Sequence, residues 1–170
     1  MDIIVRNARD EELDEVGELT VEVYLGDGLL HRGADSPYLA ELRDARHRAR
    51  HCDVLVAADA AGGPLLGAVA FVGEGGAYAN LARPGEAEFR MLAVRSAARR
   101  RGAAEALVRA CLRRARELRR ERVVMSSQTD MTAAHRLYER LGFVRTPERD
   151  WSVVPGLTLI TFALELSPEG

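Results

Sequence analysis

The sequence predicts an α/β protein with about seven strands and about four helices. Apolar residues recur at helical spacing in four segments, and short apolar runs bounded by Gly, Pro or Asp lie between these segments. The 170 residues are 47% hydrophobic and 29% charged, which is typical of a chain that buries a core. Since no linker rich in Pro, Ser or Gly divides the sequence, we expect a single domain over residues 1–170.

The amino-terminal third predicts one strand followed by two helices. Residues 3–6 form the strand, and Asp10 is the candidate N-cap of a first helix whose apolar residues have helical spacing and which ends at residues 26–28. Ser36 as N-cap and Pro37 at the first helical position begin a second helix that runs to about residue 50. Residues 29–35 between them are expected to form a loop or a broken helix.

The remaining two thirds alternate strands with two further helices. Three strands are expected first, over residues 54–58, 65–72 and 86–94. Two helices follow, over residues 103–120 and 131–141, separated by a strand over residues 122–126. Gly142 is expected to cap the last helix in the left-handed conformation. Two final strands begin at residues 143 and 157 and are joined by Pro155-Gly156.

The segment with the clearest chemical meaning is the turn that joins the strand ending at Val94 to the next helix. It reads Arg99-Arg100-Arg101-Gly102-Ala103-Ala104. Peptide N–H groups at a helix N-terminus have no intrahelical partner, and the helix dipole adds partial positive charge there. Small residues let a phosphate approach these amides, and the Arg side chains add charge. We call residues 99–104 the diphosphate cradle. The alternative is a tight strand-to-helix connection with a solvated Arg run.

Two blocks of residues resemble the GNAT (GCN5-related N-acetyltransferase) superfamily. Arg99-x-x-Gly102-x-Ala104 is similar to its acetyl-CoA signature, Gln/Arg-x-x-Gly-x-Gly/Ala. A second block, which follows the fifth strand, is similar to the superfamily's A-x-x-L-Y-x-x-x-G-F segment at Ala134, Leu137, Tyr138, Gly142 and Phe143. The blocks cover residues 86–143, and the element order extends the likeness to almost the whole chain. The resemblance implies a GNAT-like single domain with a mixed, mostly antiparallel sheet.

The same resemblance implies that acetyl-CoA is the co-substrate. Main-chain N–H groups of residues 100–104 would hold its diphosphate, beside Arg99. The main chains of Leu92 and Val94 would bind the pantetheine arm as an added strand does. An N–H near Leu92 or Ala93 would stabilise the oxyanion. Arg100 stands where the superfamily frequently has Gly, so its side chain either clamps a phosphate or points to solvent.

Two residues are candidates for proton transfer during acetylation. The resemblance places Tyr138 near the CoA sulfur, where a phenol protonated at neutral pH would act as general acid towards the departing thiolate. The alternative is that Tyr138 only packs against the cofactor. Glu88 stands where some GNAT members carry a catalytic Glu and would be the general base. Strand alternation puts Glu88 on the same face as Arg90, so an ion pair between them is an equal alternative.

Acceptor binding is expected from residues outside the two blocks. The candidates share polar or aromatic side chains near the predicted ends of helices and strands: Tyr24, His31, Tyr38, Ser126 and Trp151. Each has a plainer reading, in which His31 is a surface residue, Ser126 forms a turn and Trp151 packs over an edge. The amine itself, on a small molecule or a protein N-terminus, is not identified by any of them.

Composition excludes several other classes of function. The net charge of −2 gives no basis for nucleic-acid binding, and Glu117 and Glu121 interrupt the Arg-rich stretch 113–122. No apolar run is long enough to cross a membrane, and neither Cys52 nor Cys111 has metal-ligand neighbours. We therefore expect a cytoplasmic N-acetyltransferase without a metal, and the resemblance allows a homodimer. The alternative function is a non-catalytic acetyl-CoA-binding sensor or partner module.

Overall fold

A computed structural model describes residues 2–30 and 32–166 of the chain. Within these residues the α-helices are α1 (Leu13–Gly26), α2 (Tyr38–Arg43), α3 (Ala45–His51), α4 (Ala103–Glu117) and α5 (Thr132–Arg140). The strands are β1 (Ile3–Asn7), β2 (Asp53–Asp59), β3 (Gly67–Val72), β4 (Glu86–Val94), β5 (Arg122–Gln128), β6 (Val144–Arg145), β7 (Trp151–Val154) and β8 (Leu157–Glu165).

The strands form one sheet in the order β1-β2-β3-β4-β5-β8-β6, and β7 pairs with β8. Strands β4 and β5 are parallel, with Glu86 opposite Arg122. The pairs β1–β2, β2–β3, β5–β8, β6–β8 and β7–β8 are antiparallel. The expected α/β fold with a mixed, mostly antiparallel sheet is therefore confirmed.

The first of two compact units comprises residues 1–71 and 90–111. Its core joins the apolar face of α1 to strands β2 and β3, whose side chains are buried on both faces. The core residues are Leu13, Val16, Leu19, Val23, Ala45, Val54, Val56, Leu65, Ala68 and Ala93. Helix α1 also packs closely on α2, because Gly17 has no side chain at the point where the carbonyl group of Arg43 approaches.

The second unit comprises residues 72–89 and 112–170. A buried ion-pair network lies at the start of β4, where the Glu86 carboxylate accepts hydrogen bonds from Arg149 at 2.8 Å and from Arg122 at 3.0 Å. Burial acts to raise the pKa of Glu86, but the bonds from Arg149, the Arg83 main chain and Arg122 outweigh it and lower this pKa to about 2. The network thus holds Glu86 ionised inside the unit.

Three predicted elements differ from the structure. The helix expected up to residue 50 is divided into α2 and α3, because Asp44 leaves the helical conformation (φ −85°, ψ 67°) and its carboxylate caps the His47 N–H. Helix α4 ends three residues early, since Arg119 has a left-handed φ of 59°. The strand expected from residue 143 is only two residues long, and β7 is an additional strand. The structure therefore has eight strands and five helices in the described residues.

The predicted cap at Gly142 agrees with the structure. Gly142 has a φ of 102° just after α5, as its capping role requires. None of the described helices combines the length and the apolar character that crossing a bilayer requires. The single domain over residues 1–170 stays a prediction.

Gly17 gives a direct test of the close contact between α1 and α2. A Cβ atom added there would lie 2.0 Å from the Arg43 carbonyl oxygen, whereas one added at Gly26 on the same helix meets nothing within 4 Å. We expect Gly17→Ala to lower the free energy of unfolding by about 3 kcal/mol, because the helices must separate. Gly26→Ala is the matched control and should change it by less than about 1 kcal/mol. Equal effects in urea unfolding would contradict this packing.

Candidate functional site

The strand that leads into the cradle is irregular. Met91, inside β4, has a φ of 57°, a left-handed conformation that L-residues rarely adopt in a strand. A residue in this conformation changes the direction of the peptide groups that follow it, which here belong to Leu92, Ala93 and Val94. The regular alternation expected from Glu88 to Val94 is therefore interrupted at Met91. The β4–β5 register runs from Glu86/Arg122 to Glu88/Val124, before this position.

The cradle itself presents peptide N–H groups without acceptors. The amides of Ala98 and Arg99 bond to carbonyl groups of Arg95 and Ser96, and the amide of Ala106 bonds to the Gly102 carbonyl. Between them, the N–H groups of residues 100–104 have no acceptor among the described residues. Arg100 (φ 67°) and Gly102 (φ 85°) are both left-handed, and such a turn makes successive N–H groups converge into an anion-binding nest.

The space in front of the cradle is open. A Cβ atom built on Gly102 meets no heavy atom within 4 Å. Ala103 follows as the first residue of α4, which is 15 residues long and so supplies a full helix dipole at this end. Unpaired amides, a helix N-terminus and open space together fit a diphosphate group.

The three Arg side chains of the cradle have different partners. Arg99 forms an ion pair with Asp27, and Arg101 forms one with Asp59 at 2.9 Å. The main-chain N–H of Ala61 and the Arg101 guanidinium lower the pKa of Asp59, so this carboxylate stays ionised. Arg100 is exposed and has no partner in the described part of the chain. Its side chain points to solvent, and which of its two predicted roles applies when a cofactor is bound stays a prediction.

Two candidate acceptor residues come together in the first unit. The rings of Tyr24 and Tyr38 meet edge to face, with centroids 6.5 Å apart. The Arg90 guanidinium donates a hydrogen bond to the Tyr38 hydroxyl at 3.1 Å. Burial raises the pKa of Tyr38, and the charge of Arg90 opposes this only in part, so the phenol is protonated at neutral pH. His31, the third candidate of this region, lies outside the described residues.

Glu88 is buried in the second unit with an exposed fraction of 1%. Its Oε1 atom accepts hydrogen bonds from the main-chain N–H groups of Asn80, Leu81 and Ala82 at 3.0 to 3.1 Å. Arg149 also donates to the Leu81 carbonyl oxygen at 2.7 Å. Glu88 thus anchors the end of the loop before β4, a contact that the sequence did not reveal. Its role as general base stays a prediction.

Tyr138 belongs to a cluster of aromatic side chains in the second unit. Its ring centroid lies 6.0 Å from that of Phe89, 5.9 Å from that of Phe143 and 5.8 Å from that of Phe162. Tyr138 is almost fully buried, and the surrounding rings fix the position of its side chain. This packing is compatible with either predicted role, the general acid or a residue that only packs against the cofactor.

Ser126 and Trp151 are also brought together. The Trp151 indole N–H donates to Ser126 Oγ at 3.0 Å. The preceding residue, Asp150, forms a bidentate ion pair with Arg145 at 2.8 and 2.9 Å and accepts from the Thr161 N–H. These bonds hold the beginning of β7 on β8, so Trp151 has a defined position beside the end of β5.

Sequence reasoning did not predict one further polar contact. Ser127 Oγ lies 3.0 Å from His135 Nε2, and this pair connects the end of β5 to α5. His135 stands inside the second GNAT-like block, three residues before Tyr138, and helical spacing alone would have put both on one side of α5. The partner on β5 could not be inferred, because no periodicity links a strand residue to a helix residue.

The two cysteines differ in exposure. Cys111 is buried and Cys52 is half-buried, and both are free thiols. Burial raises the pKa of Cys52 to about 11, so its thiolate form is rare at neutral pH. Among the described residues, no group of three or more His, Cys, Asp or Glu side chains is arranged to hold a metal ion.

Comparison with known families identifies the class of protein. The sequence model of the acetyltransferase (GNAT) family matches residues 14–143. This match covers most of the chain and includes both blocks, so the chain belongs to the GNAT family and is an acyltransferase of that family. None of the curated proteins matches it.

Solved structures share the fold over nearly the full length. An N-acetyltransferase from Staphylococcus aureus Mu50 is 16% identical, with a TM-score of 0.71, over 98% of this chain and 100% of that chain. The protein yncA from Salmonella typhimurium, solved with its cofactor acetyl-CoA, is 18% identical, with a TM-score of 0.70, over 100% and 97%. A GCN5-related N-acetyltransferase from Kribbella flavida is 23% identical, with a TM-score of 0.69, over 96% and 98%. These likenesses show the fold.

The left-handed conformation of Arg100 gives a physical reason for the Gly that the family frequently has there. We expect Arg100→Gly to raise the free energy of unfolding by about 0.5–1 kcal/mol, since Gly adopts this φ without strain. Arg113→Gly, at an exposed position inside α4, removes the same charge and should lower it by about 1 kcal/mol. Thermal unfolding of both variants checks this. Destabilisation by both would contradict the assigned conformation of Arg100.

Proposed function

We propose that the protein transfers the acetyl group of acetyl-CoA to a primary amine of a small molecule or of a protein N-terminus. The observation that carries this proposal is the run of N–H groups of residues 100–104, at the start of α4, for which the described residues offer no acceptor. Membership in the GNAT family and the acetyl-CoA in the yncA structure support it.

The chain's own residues account for cofactor binding in this proposal. The N–H groups of residues 100–104 bind the diphosphate, and the exposed Arg100 guanidinium is available to a phosphate oxygen. Arg99 and Arg101 keep the turn in place through Asp27 and Asp59 while adding positive potential. The main chains of Leu92 and Val94, which follow the irregularity at Met91, bind the pantetheine arm. A main-chain N–H near Leu92 or Ala93 stabilises the oxyanion.

Acetyl-CoA supplies an activated thioester carbonyl to the attacking amine. Nitrogen–carbon bond formation then requires a proton for the thiolate and an acceptor for the proton of the amine. Tyr138 donates the first proton, and its fixed position among three Phe rings supports this role. Tyr24 and Tyr38 in one unit, and Ser126 and Trp151 in the other, are the proposed acceptor-binding residues, together with His31.

The direct test of this function is release of free CoA thiol from acetyl-CoA. Amines of different classes serve as acceptors: spermidine, kanamycin, methionine, a tripeptide with N-terminal Ala, and an arylamine. We expect thiol release with at least one of them and an acetylated product in the mass spectrum. Binding of acetyl-CoA without any product would instead favour a sensor or partner module.

Substitutions at Gly102 test whether the cradle binds the diphosphate, because one of them adds a negative charge there. Gly102→Glu places a carboxylate against the diphosphate, and we expect the dissociation constant for acetyl-CoA to rise about 100-fold, because like charges in contact cost several kcal/mol. Gly102→Ala imposes the same backbone strain without the charge, so it should retain most of the affinity. Isothermal titration calorimetry measures both. Equal affinities of the two variants would argue against phosphates at this position.

A substitution at Tyr138 tests whether its hydroxyl is the proton donor. Tyr138→Phe keeps the ring contacts and removes the hydroxyl, so we expect turnover to fall about 100-fold with little change in KM for acetyl-CoA. Tyr78→Phe removes another buried phenol hydroxyl of the second unit and is the matched control. Steady-state kinetics with the best acceptor amine of the panel measures turnover and KM for both variants. Unchanged turnover in Tyr138→Phe would leave Tyr138 with a packing role alone.

A further inference from the structure

His135 has the contacts of a positioned imidazole. It lies on α5, three residues before Tyr138, and its Nε2 atom is 3.0 Å from Ser127 Oγ. Ser127 is 6% exposed and His135 is half-buried, so a buried hydroxyl orients a ring that reaches the protein surface. The Nδ1 atom has no hydrogen-bond partner among the residues that the structure describes. One ring nitrogen is therefore fixed and the other is open to a substrate or a water molecule.

Ser127 can support this ring in either protonation state. When the imidazole is neutral with its proton on Nε2, that N–H donates to Ser127 Oγ and Nδ1 is free to accept a proton. The imidazolium keeps the same Nε2–H bond to Ser127 Oγ, and in both states the Ser127 hydroxyl proton has the Gln128 carbonyl oxygen at 3.4 Å and Met131 Sδ at 3.8 Å as acceptors. The pair can thus hold the ring while a proton arrives at Nδ1 and leaves again.

The surroundings place His135 next to the proposed proton donor. The Phe162 ring on β8 has its centroid 5.3 Å from that of His135 and 5.8 Å from that of Tyr138, so both side chains contact one ring. The residue of β5 that bonds to His135 is the uncharged Ser127. The charged group on the Phe162 ring is Arg145 of β6, at 5.6 Å, and Asp150 pairs with it. On α5 itself the titratable neighbours are Tyr138 and Glu139.

Glu88 has a different kind of environment. Three main-chain N–H groups of the preceding loop converge on its Oε1 atom, and the residue is 1% exposed. A carboxylate held in this way is suited to fix the loop, because transferring a proton to it would weaken three hydrogen bonds. His135, by contrast, has a ring nitrogen, Nδ1, that no described residue occupies and that can accept a proton.

From this geometry we infer that His135 is the proton acceptor for the amine, an inference that rests on the proposed acetyl transfer. The amine nitrogen forms a bond to the acetyl carbon, and the carbon–sulfur bond breaks. One proton of the amine passes to His135 Nδ1, directly or through one water molecule, and Ser127 accepts from the Nε2–H of the resulting imidazolium. The thiolate takes its proton from Tyr138, and solvent exchange restores both side chains.

The test is the pH dependence of kcat/KM in His135→Gln, Ser127→Ala and His47→Gln, with the best acceptor of the amine panel. We expect His135→Gln to lower kcat about 100-fold, to keep the affinity for acetyl-CoA and to lose the imidazole step of the acidic limb. Added free imidazole should restore part of the activity of His135→Ala, which no structural role explains. Ser127→Ala should shift the acidic limb of the pH profile of kcat/KM, because it removes the hydroxyl that bonds to the imidazole. His47→Gln removes an exposed His of the first unit and should keep the wild-type profile.

Two results would overturn the inference and are distinguishable from each other. A wild-type profile in His135→Gln, with no imidazole rescue of His135→Ala, would remove His135 from the reaction and leave the proposed transferase function intact. No product from the wild-type protein with any amine of the panel would overturn the transferase function, and the role of His135 with it. Retained acetyl-CoA affinity in each variant shows that loss of activity does not come from misfolding.

Discussion

The proposed function depends on five consecutive peptide N–H groups, at residues 100–104, that have no acceptor among the residues that the structure describes. Open donors at the start of a helix are satisfied by a cap, by water or by a ligand, and the left-handed Arg100 and Gly102 give this run the conformation of an anion-binding nest. The partial positive charge of the helix N-terminus favours a negatively charged ligand, and the space beside Gly102 is open. In the proposed acetyl transfer, binding of the pantetheine arm and the proton transfers follow once the diphosphate is bound there.

The chain gives up stability to keep this turn in shape. Arg100 and Met91 both have left-handed backbones without being Gly, and each such residue costs roughly 1–2 kcal/mol. Ion pairs of Arg99 with Asp27 and of Arg101 with Asp59 hold the turn against other segments of the first unit. In the second unit, buried carboxylates have a comparable effect, since Glu86 and Glu88 fix the loop that precedes β4.

Periodicity predicted the elements that carry a long apolar face, and these include α1, α4 and α5 with the Gly142 cap. It failed at Asp44, where one backbone angle divides a helix although the apolar spacing continues. It also failed at β7, whose four residues pair with β8 but are half-buried or exposed, so the strand has no buried apolar face that periodicity could detect. The turn at residues 99–104 stands out in the sequence because its residues are contiguous. The contacts of Glu88 with residues 80–82 and of Ser127 with His135 join different elements, and no spacing rule connects such partners.

The most direct measurement of the central claim is a titration of the ¹⁵N-labelled protein with CoA and with pantetheine, which lacks the diphosphate. Amide resonances of residues 100–104 should shift strongly with CoA and hardly at all with pantetheine, because unpaired N–H groups respond to a bound anion. If CoA bound and left these five amide resonances in place, the diphosphate would be held elsewhere, and the cradle would have no part in cofactor binding.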